Sequence, residues 1–170
     1  MMYFPEIPVP EYYTKENYAT LIDMFYSING WQGESLGMLE SGQQIYGFYR
    51  GDPKKPCIFM TSAIHGDEWQ ASYWTKLFME MLTKTEPNTH SKIFSLLDKS
   101  FCYYIIPVAN PDGYINNART NANGVDLNRD YTNQTQLETQ IITAKILSKK
   151  PVTVIDSHTQ HNDNYSLATG

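Results

Sequence analysis

The sequence has no long apolar run, no run of basic residues and only two cysteines. Because no apolar stretch approaches the roughly 18 residues that a membrane-spanning helix needs, we expect no transmembrane segment and no membrane partner. Residues 1–10 lack the basic and apolar regions of a signal peptide, so we expect a cytoplasmic protein by default. A net charge of −5 without a Lys/Arg-rich run argues against nucleic acid as a partner.

The two cysteines do not form a metal-binding or redox motif. Cys57 and Cys102 each lie in a short apolar run typical of a strand, and neither has CxxC spacing. Cysteine is among the most frequently buried residue types, so we predict two buried free thiols.

What the sequence does contain is an alternation of helices and strands that indicates an α/β domain. At 170 residues the chain is long enough for one domain with its own core, which we expect to cover residues 1–170. Apolar periodicity predicts helices over 14–27, 69–82, 92–97 and 137–147. A hairpin is predicted from 35–39 and 43–49, with further strands over 57–60, 101–108 and 152–155. We therefore expect a mostly parallel mixed sheet with helices on both faces.

Local patterns predict how the helices and loops are used. In the first helix, which Thr14 can cap, four residues form the predicted buried face: Tyr18, Leu21, Ile22 and Phe25. In the second helix, the predicted buried face comprises Trp74, Leu77, Phe78 and Met81. Further along, residues 110–113 predict a turn and residues 116–123 an irregular polar loop.

Three residues at the ends of predicted elements have the side chains of a metal site. His65 follows a buried strand, and Glu68 is predicted three residues later in the first turn of a helix, a spacing that puts the two side chains on one face with a Cβ separation of about 5–6 Å. His158 ends another buried strand, and ligands of open α/β sheets bind outside the carboxyl ends of strands. Two imidazoles and a carboxylate suit one catalytic Zn²⁺. His90 and His161 lie in polar surroundings and are predicted to be solvated, with His161 the alternative if His158 is not the third ligand.

Four sequence segments carry a family resemblance. They are HGDE at 65–68, NPDGY at 110–114, RTNANGVDLNRDY at 119–131 and DSH at 156–158. In their order and spacing they resemble the zinc carboxypeptidase family, the carboxypeptidase A and B type metallopeptidases, over residues 57–158. The resemblance implies one Zn²⁺ held by His65, Glu68 and His158.

The resemblance also implies roles for residues of the third segment. Asp126 corresponds to the carboxylate that holds one zinc-bound imidazole in the correct tautomer. Asn128 and Arg129 correspond to the pair that grips the terminal carboxylate of the substrate. Arg119 corresponds to the arginine that stabilises the developing oxyanion.

The sequence departs from the family pattern in three places. The spacing from Arg119 to Arg129 is shorter than in the pancreatic enzymes, which favours a compact bacterial or phage-type member. Thr159 and Gln160 do not match the family's subsite tyrosine. The family's general-base glutamate, substrate-covering tyrosine and specificity pocket come from later segments, so we expect them beyond Gly170, with residues 1–170 the N-terminal part of an enzyme whose final strands are missing.

Within the chain itself, no carboxylate is clearly placed to act as the general base. Five glutamates lie in segments predicted to point away from the metal site: Glu34, Glu40, Glu80, Glu86 and Glu138. Asp163 is the only acidic residue positioned as a substitute. Loss of a general base costs about 10²–10⁴-fold in rate, so we expect the 170-residue chain alone to be a poor catalyst.

The leading functional hypothesis is a metallocarboxypeptidase that hydrolyses a C-terminal peptide bond with zinc-activated water. Its substrate would be a peptide or a peptidoglycan stem peptide, and the sequence does not indicate the residue removed or an oligomeric state. An amidohydrolase of the aspartoacylase or succinylglutamate desuccinylase kind is the alternative, although the NPDGY segment and the Arg119 loop favour the peptidase. A third hypothesis is a non-catalytic binding fragment.

Overall fold

The computed structural model describes residues 14–83 and 89–159. Its five strands are β1 (Gln32–Met38), β2 (Gln44–Arg50), β3 (Cys57–Ser62), β4 (Cys102–Ile106) and β5 (Thr153–Ser157). They form one mixed sheet in the order β1-β2-β4-β3-β5. Strand β3 lies between β4 and β5 and pairs in parallel with both, whereas β1–β2 and β2–β4 are antiparallel. The carboxyl ends of β3, β4 and β5 therefore meet at one edge of the sheet.

The helices cover both faces of this sheet. They are α1 (Tyr18–Tyr26), α2 (Gln70–Thr83), α3 (Thr89–Ser100), α4 (Pro111–Asn116) and α5 (Leu137–Lys149), with a 3₁₀ helix at Leu127–Arg129. On one face, Tyr103 and Ile105 of β4 belong to the core that contains α1 and α2. On the other, Tyr104 packs in a second core with Ile142 of α5. Successive side chains of β4 point into the two cores in turn, so the whole strand is buried and apolar. The predicted α/β architecture is confirmed.

The first helix begins later than predicted. Asn17, not Thr14, caps α1, because its side-chain oxygen accepts the Thr20 backbone N–H at 2.9 Å. The predicted buried face is confirmed, since the buried residues of the helix are Tyr18, Leu21, Ile22 and Phe25. The two predicted free thiols, Cys57 and Cys102, are also buried as expected.

The buried face predicted for α2 is wrong. Trp74 is 44% exposed, and Leu77, Phe78 and Met81 are only partly buried. The face packed on the sheet is formed by smaller and polar residues as well: Ala71, Ser72, Tyr73, Thr75, Met79 and Leu82. Hydrogen bonds allow this, because the Ser72 hydroxyl donates to the Pro107 carbonyl at 2.7 Å and the Thr75 hydroxyl bonds Ser62.

Residues 110–113, predicted as a turn, instead begin the short helix α4. The Asn110 side chain accepts the Gly113 backbone N–H at 2.9 Å, and Pro111 occupies the first turn, where no N–H is needed. The helix ends at Asn116, and the polar loop predicted from 116 starts at Asn117. No helix in the described ranges is both long and apolar enough to span a membrane.

The helix α4 supports the loop that carries His65. Gly66 lies directly against the backbone of Gly113, so that an added Cβ would overlap it. Two bonds fix the loop: the Asp67 N–H donates to Ala118 at 3.2 Å, and the Asn110 amide donates to Ile64 at 3.2 Å. The HGDE and NPDGY segments are thus packed together, and glycine at position 66 is required by that approach.

We predict that Gly66→Ala destabilises the protein by about 1–3 kcal/mol or more, because the Gly113 backbone must move to admit the methyl group. Urea unfolding measures the change. Gly37→Ala is the matched control, since its methyl would meet only the end of the Ile141 side chain at 2.8 Å, which can rotate away. Equal stability losses in the two variants would contradict the proposed backbone contact.

Candidate metal centre

Three predicted metal ligands converge at the carboxyl edge of the parallel strands. Ser62 and Ser157 are register partners at the ends of β3 and β5, and His65 and His158 follow them by three residues and one residue. Glu68 lies just before α2 and not in its first turn as predicted, because the helix begins at Gln70. Ligand atoms of these three side chains all lie within 4.8 Å of one another.

The Glu68 carboxylate joins the two histidines. Its Oε1 lies 2.9 Å from His65 Nδ1, and its Oε2 lies 2.9 Å from His158 Nδ1. The Thr159 backbone N–H also donates to Oε2 at 3.0 Å. Burial alone would raise the pKa of Glu68, but the bonds from His65, Thr159 and His158 outweigh it, and the pKa is lowered. The carboxylate is therefore held in its ionised form.

Two further carboxylates face the outer nitrogens of the same rings. His65 Nε2 lies 3.2 Å from Asp126 Oδ1, and His158 Nε2 lies 3.1 Å from Asp156 Oδ2. A neutral imidazole has one N–H and one lone pair, so it cannot donate to carboxylates on both sides. A cation shared by the two Nδ1 atoms and Glu68 would leave each Nε2–H free to donate outward. The donor set of two imidazoles and one carboxylate fits zinc.

Asp156 is a site residue that the sequence reasoning missed. Its Oδ2 faces His158, and its Oδ1 accepts the Thr61 hydroxyl at 2.7 Å. Residues 156 and 158 are two apart at the end of β5, where side chains at that spacing lie on the same face. The two-residue spacing could have indicated that Asp156 contacts His158. It points to a role in the metal site only when His158 is known to lie beside Glu68.

Arg119 lies beside the centre and is bound to Asp126. Its Nε and Nη2 atoms donate to Asp126 Oδ2 at 3.1 and 2.9 Å, and its Nη1 lies 3.4 Å from His65 Nδ1. Burial would raise the pKa of Asp126, but Arg119 and His65 outweigh it and lower the pKa. The side chain of Arg119 is about half exposed, at 48%, so its guanidinium can also reach a bound molecule.

Asn128 and Arg129 follow Asp126 in the 3₁₀ helix. Asp126 caps this helix by accepting the Asn128 backbone N–H at 3.0 Å. Arg129 is exposed, and its guanidinium forms no hydrogen bond or ion pair with the described residues. Both residues therefore follow Asp126 directly in the chain, and neither side chain has a hydrogen-bond partner among the described residues.

A buried carboxylate anchors the loop just after Arg129. Asp130 accepts the Thr135 and Thr139 hydroxyls at 2.6 and 2.5 Å, and the Thr135 and Gln136 backbone N–H groups at 3.0 and 2.9 Å. Burial would raise the pKa of Asp130, but these bonds hold it far below its ordinary value. The loop that carries Arg129 is thereby fixed to the start of α5.

Three of the five glutamates predicted to point away contact other residues, and a fourth, Glu40, is exposed. Glu34 accepts the Tyr104 hydroxyl at 2.7 Å, Glu80 bonds Lys76, and Glu138 accepts from Asn121 at 3.2 Å. Four further residues singled out from the sequence fall outside what the structure describes, in whole or in their side chains: Glu86, His90, His161 and Asp163.

Residues 14–162 match the family described as zinc carboxypeptidase. Cytosolic carboxypeptidase 1 of Gallus gallus is 39% identical over 80 residues, which cover 46% of this chain and 6% of that protein. Cytosolic carboxypeptidase 4 of Mus musculus is 34% identical over 113 residues, covering 61% of this chain and 10% of that protein. The chain thus spans a tenth or less of the length of these curated relatives.

Two solved structures show the same fold. The metallo-carboxypeptidase of Burkholderia cenocepacia has a TM-score of 0.75 and 21% identity, and the alignment covers 87% of this chain and 41% of that one. The metallo-carboxypeptidase of Pseudomonas aeruginosa has a TM-score of 0.71 and 23% identity, with 87% and 40% coverage. Because the family match extends over residues 14–162, the chain belongs to the zinc carboxypeptidase family.

Proposed function

We propose that this protein is a zinc-dependent carboxypeptidase that hydrolyses the C-terminal bond of a peptide. The observation that carries the proposal is the convergence of His65, Glu68 and His158 within 4.8 Å, beside a loop that bears two arginines. Family membership supports the same reaction class. The names of the curated relatives support a cytoplasmic location for this chain as well.

His65, Glu68 and His158 would hold the zinc ion. When bound, zinc lowers the pKa of a water molecule and polarises a carbonyl group. Asp126 and Asp156 would fix the two rings by accepting their outer Nε2–H groups, which sets the tautomer and the ring orientation. Both carboxylates are themselves hydrogen-bonded, to Arg119 and Thr61, so their positions are fixed in turn.

The arginines would act on the substrate. Arg119 lies 3.4 Å from a ligand nitrogen, where its positive charge would stabilise negative charge developing on a carbonyl oxygen. The guanidinium of Arg129 has no ion-pair partner among the described residues and would bind the terminal carboxylate bidentately, with Asn128 beside it. A carboxylate clamp of this kind selects a chain end and excludes internal peptide bonds.

Substrate assays discriminate the proposal from its alternatives. Release of a C-terminal residue from a peptide, without turnover of N-acyl-aspartate, supports the carboxypeptidase. Turnover of N-acyl-aspartate alone would indicate the aspartoacylase-like amidohydrolase, and peptide binding without any turnover would indicate a binding module. Comparing a linear peptide with a peptidoglycan stem peptide decides the substrate class.

We predict that His65→Ala and His158→Ala each abolish stoichiometric zinc binding, because two protein ligands remain where a catalytic zinc site needs three. Metal analysis after dialysis against a weak chelator measures the occupancy. His90→Ala, in α3, is the control and should keep one zinc ion per chain. Full occupancy in either ligand variant would show that the site is misassigned.

We predict that Asp126→Ala and Asp156→Ala each weaken zinc binding about 10–100-fold, because each frees one ligand imidazole to change tautomer and rotate. Competition with a chromogenic chelator gives the affinities. Asp23→Ala, on the exposed side of α1, should leave the affinity unchanged. If Asp126→Ala weakens binding but Asp156→Ala does not, the second carboxylate has no role in positioning.

We predict that Arg129→Ala costs about 2–5 kcal/mol of transition-state binding, measured from the ratio of kcat/KM values in an active form of the enzyme, because the substrate carboxylate loses its cationic partner. Amidation of the peptide C-terminus should cost the unmodified enzyme a similar amount and add little to the loss in the variant. Additive losses from the mutation and the amidation would mean that Arg129 does not contact that carboxylate.

A further inference from the structure

A cavity lies at the opposite end of the strands from the metal centre. It has a volume of about 540 Å³ and opens where β3 and β4 begin, at Cys57 and Cys102. Its walls come from several segments, among them the end of β2 at Arg50, the turn residues 53–56, the start of β4 and the end of α5 at Lys149. Because β3 runs from Cys57 towards His65, nothing that occupies this cavity can touch the metal ligands.

The lining of this cavity is strongly basic. Five of the 13 Lys and Arg residues of the chain line it, although the chain as a whole has a net charge of −5. They are Arg50, Lys54, Lys55, Lys149 and Lys150. No Asp or Glu is among the lining residues described. The cavity therefore concentrates positive charge in an otherwise acidic protein.

Two of these cations are already held in place. Arg50 forms a bidentate pair with Asp98 at 2.7 and 2.8 Å, and it donates to the Gly30 carbonyl at 2.9 Å. The Lys149 ammonium lies 4.7 Å from the centre of the Tyr104 ring, a cation–π distance. The nearby carboxylate of Glu34 is bound to Tyr104 and Lys145, so it does not neutralise the cavity by direct contact.

The other three lysines lack an anionic partner. Within the described part of the chain, the ammonium groups of Lys54, Lys55 and Lys150 form no ion pair or hydrogen bond. The partial negative charge at the C-terminus of α5 is enough to explain why lysines lie there. It does not account for Lys54 and Lys55, which come from the β2–β3 turn. Like charges gathered from two segments repel one another, and a bound anion would remove that cost.

We propose that this cavity binds a small organic anion that carries at least two phosphate or carboxylate groups. Its volume lies within the range of about 300–1,000 Å³ that is usual for small-molecule sites. Lys54, Lys55 and Lys150 supply the charge, while the ring of Tyr49 and the carbon atoms of Pro56 form an apolar wall. The site is independent of the proposed peptidase reaction.

The two cysteines make the site directly measurable. Cys57 and Cys102 are register partners in the cavity wall, and the chain contains no other cysteine. Each is 8% exposed, so the cavity is their access to solvent. A bound anion should therefore slow their alkylation by N-ethylmaleimide, a neutral reagent that the lysines do not attract.

The test uses pyrophosphate and citrate as separate probes on the purified zinc-loaded protein, with the zinc occupancy measured again after each titration because both anions also chelate zinc. We expect calorimetry to show saturable binding of at least one probe, with slower alkylation of both thiols over the same concentration range. Tenfold tighter binding of pyrophosphate would identify phosphate as the group recognised, and the reverse would identify carboxylates. Lys149→Gln/Lys150→Gln should weaken binding at least tenfold, as should Lys54→Gln/Lys55→Gln.

Lys92→Gln/Lys99→Gln, in α3, removes the same charge away from the cavity and should change neither readout. The zinc occupancy of each variant shows whether it is folded. A variant that keeps its zinc but no longer binds the anion has lost the cavity site alone, so this result does not bear on the proposed peptidase reaction. The proposal is overturned if neither probe binds saturably. It is equally overturned if binding leaves the thiols unprotected, or if the α3 variant weakens binding as much as the cavity variants do.

Discussion

The ionised carboxylate of Glu68 is the constraint on which the rest of the site depends. Its two oxygens lie 2.9 Å from His65 Nδ1 and 2.9 Å from His158 Nδ1, and it accepts the Thr159 backbone N–H, so it connects the ends of β3 and β5 through one side chain. A buried anion between two imidazoles is stable only if positive charge is shared with it. A divalent cation would supply that charge, and the outer carboxylates Asp126 and Asp156 would then accept the Nε2–H groups of the two rings.

The fold supports this arrangement with a strained and tightly packed loop. Ala63, buried at the end of β3, has a φ of 49°, a conformation that costs a non-glycine residue about 1–3 kcal/mol. The Asn110 backbone N–H donates to the Ala63 carbonyl at 3.1 Å, and Gly66 rests on Gly113. The NPDGY segment thus serves the metal site indirectly, because α4 forms the surface against which the His65 loop is held.

Sequence patterns predicted those parts of the molecule that depend on local spacing. The strands were predictable because their residues are alternating or fully apolar. The pairing of His65 with Glu68 was predictable because the two residues are only three apart in the sequence. The packing of α2 was not predictable in this way. Large apolar residues suggested the wrong face, because Ser72 and Thr75 can lie against the sheet only when hydroxyl partners from other elements are present. Asp156 was missed for the same reason, since its role requires two distant strands to be adjacent.

The central claim is that one zinc ion is held by two imidazoles and a carboxylate, and zinc K-edge X-ray absorption tests it most directly. With one equivalent of zinc, the spectrum should show two imidazole nitrogens at about 2.0–2.1 Å and oxygen ligands at about 2.0–2.2 Å, without sulfur. The chain's two thiols offer the clear alternative, because Cys57 and Cys102 are register partners at the far end of the same strands. A zinc–sulfur shell at about 2.3 Å, or a shell with one imidazole or none, would contradict the assignment of His65, Glu68 and His158.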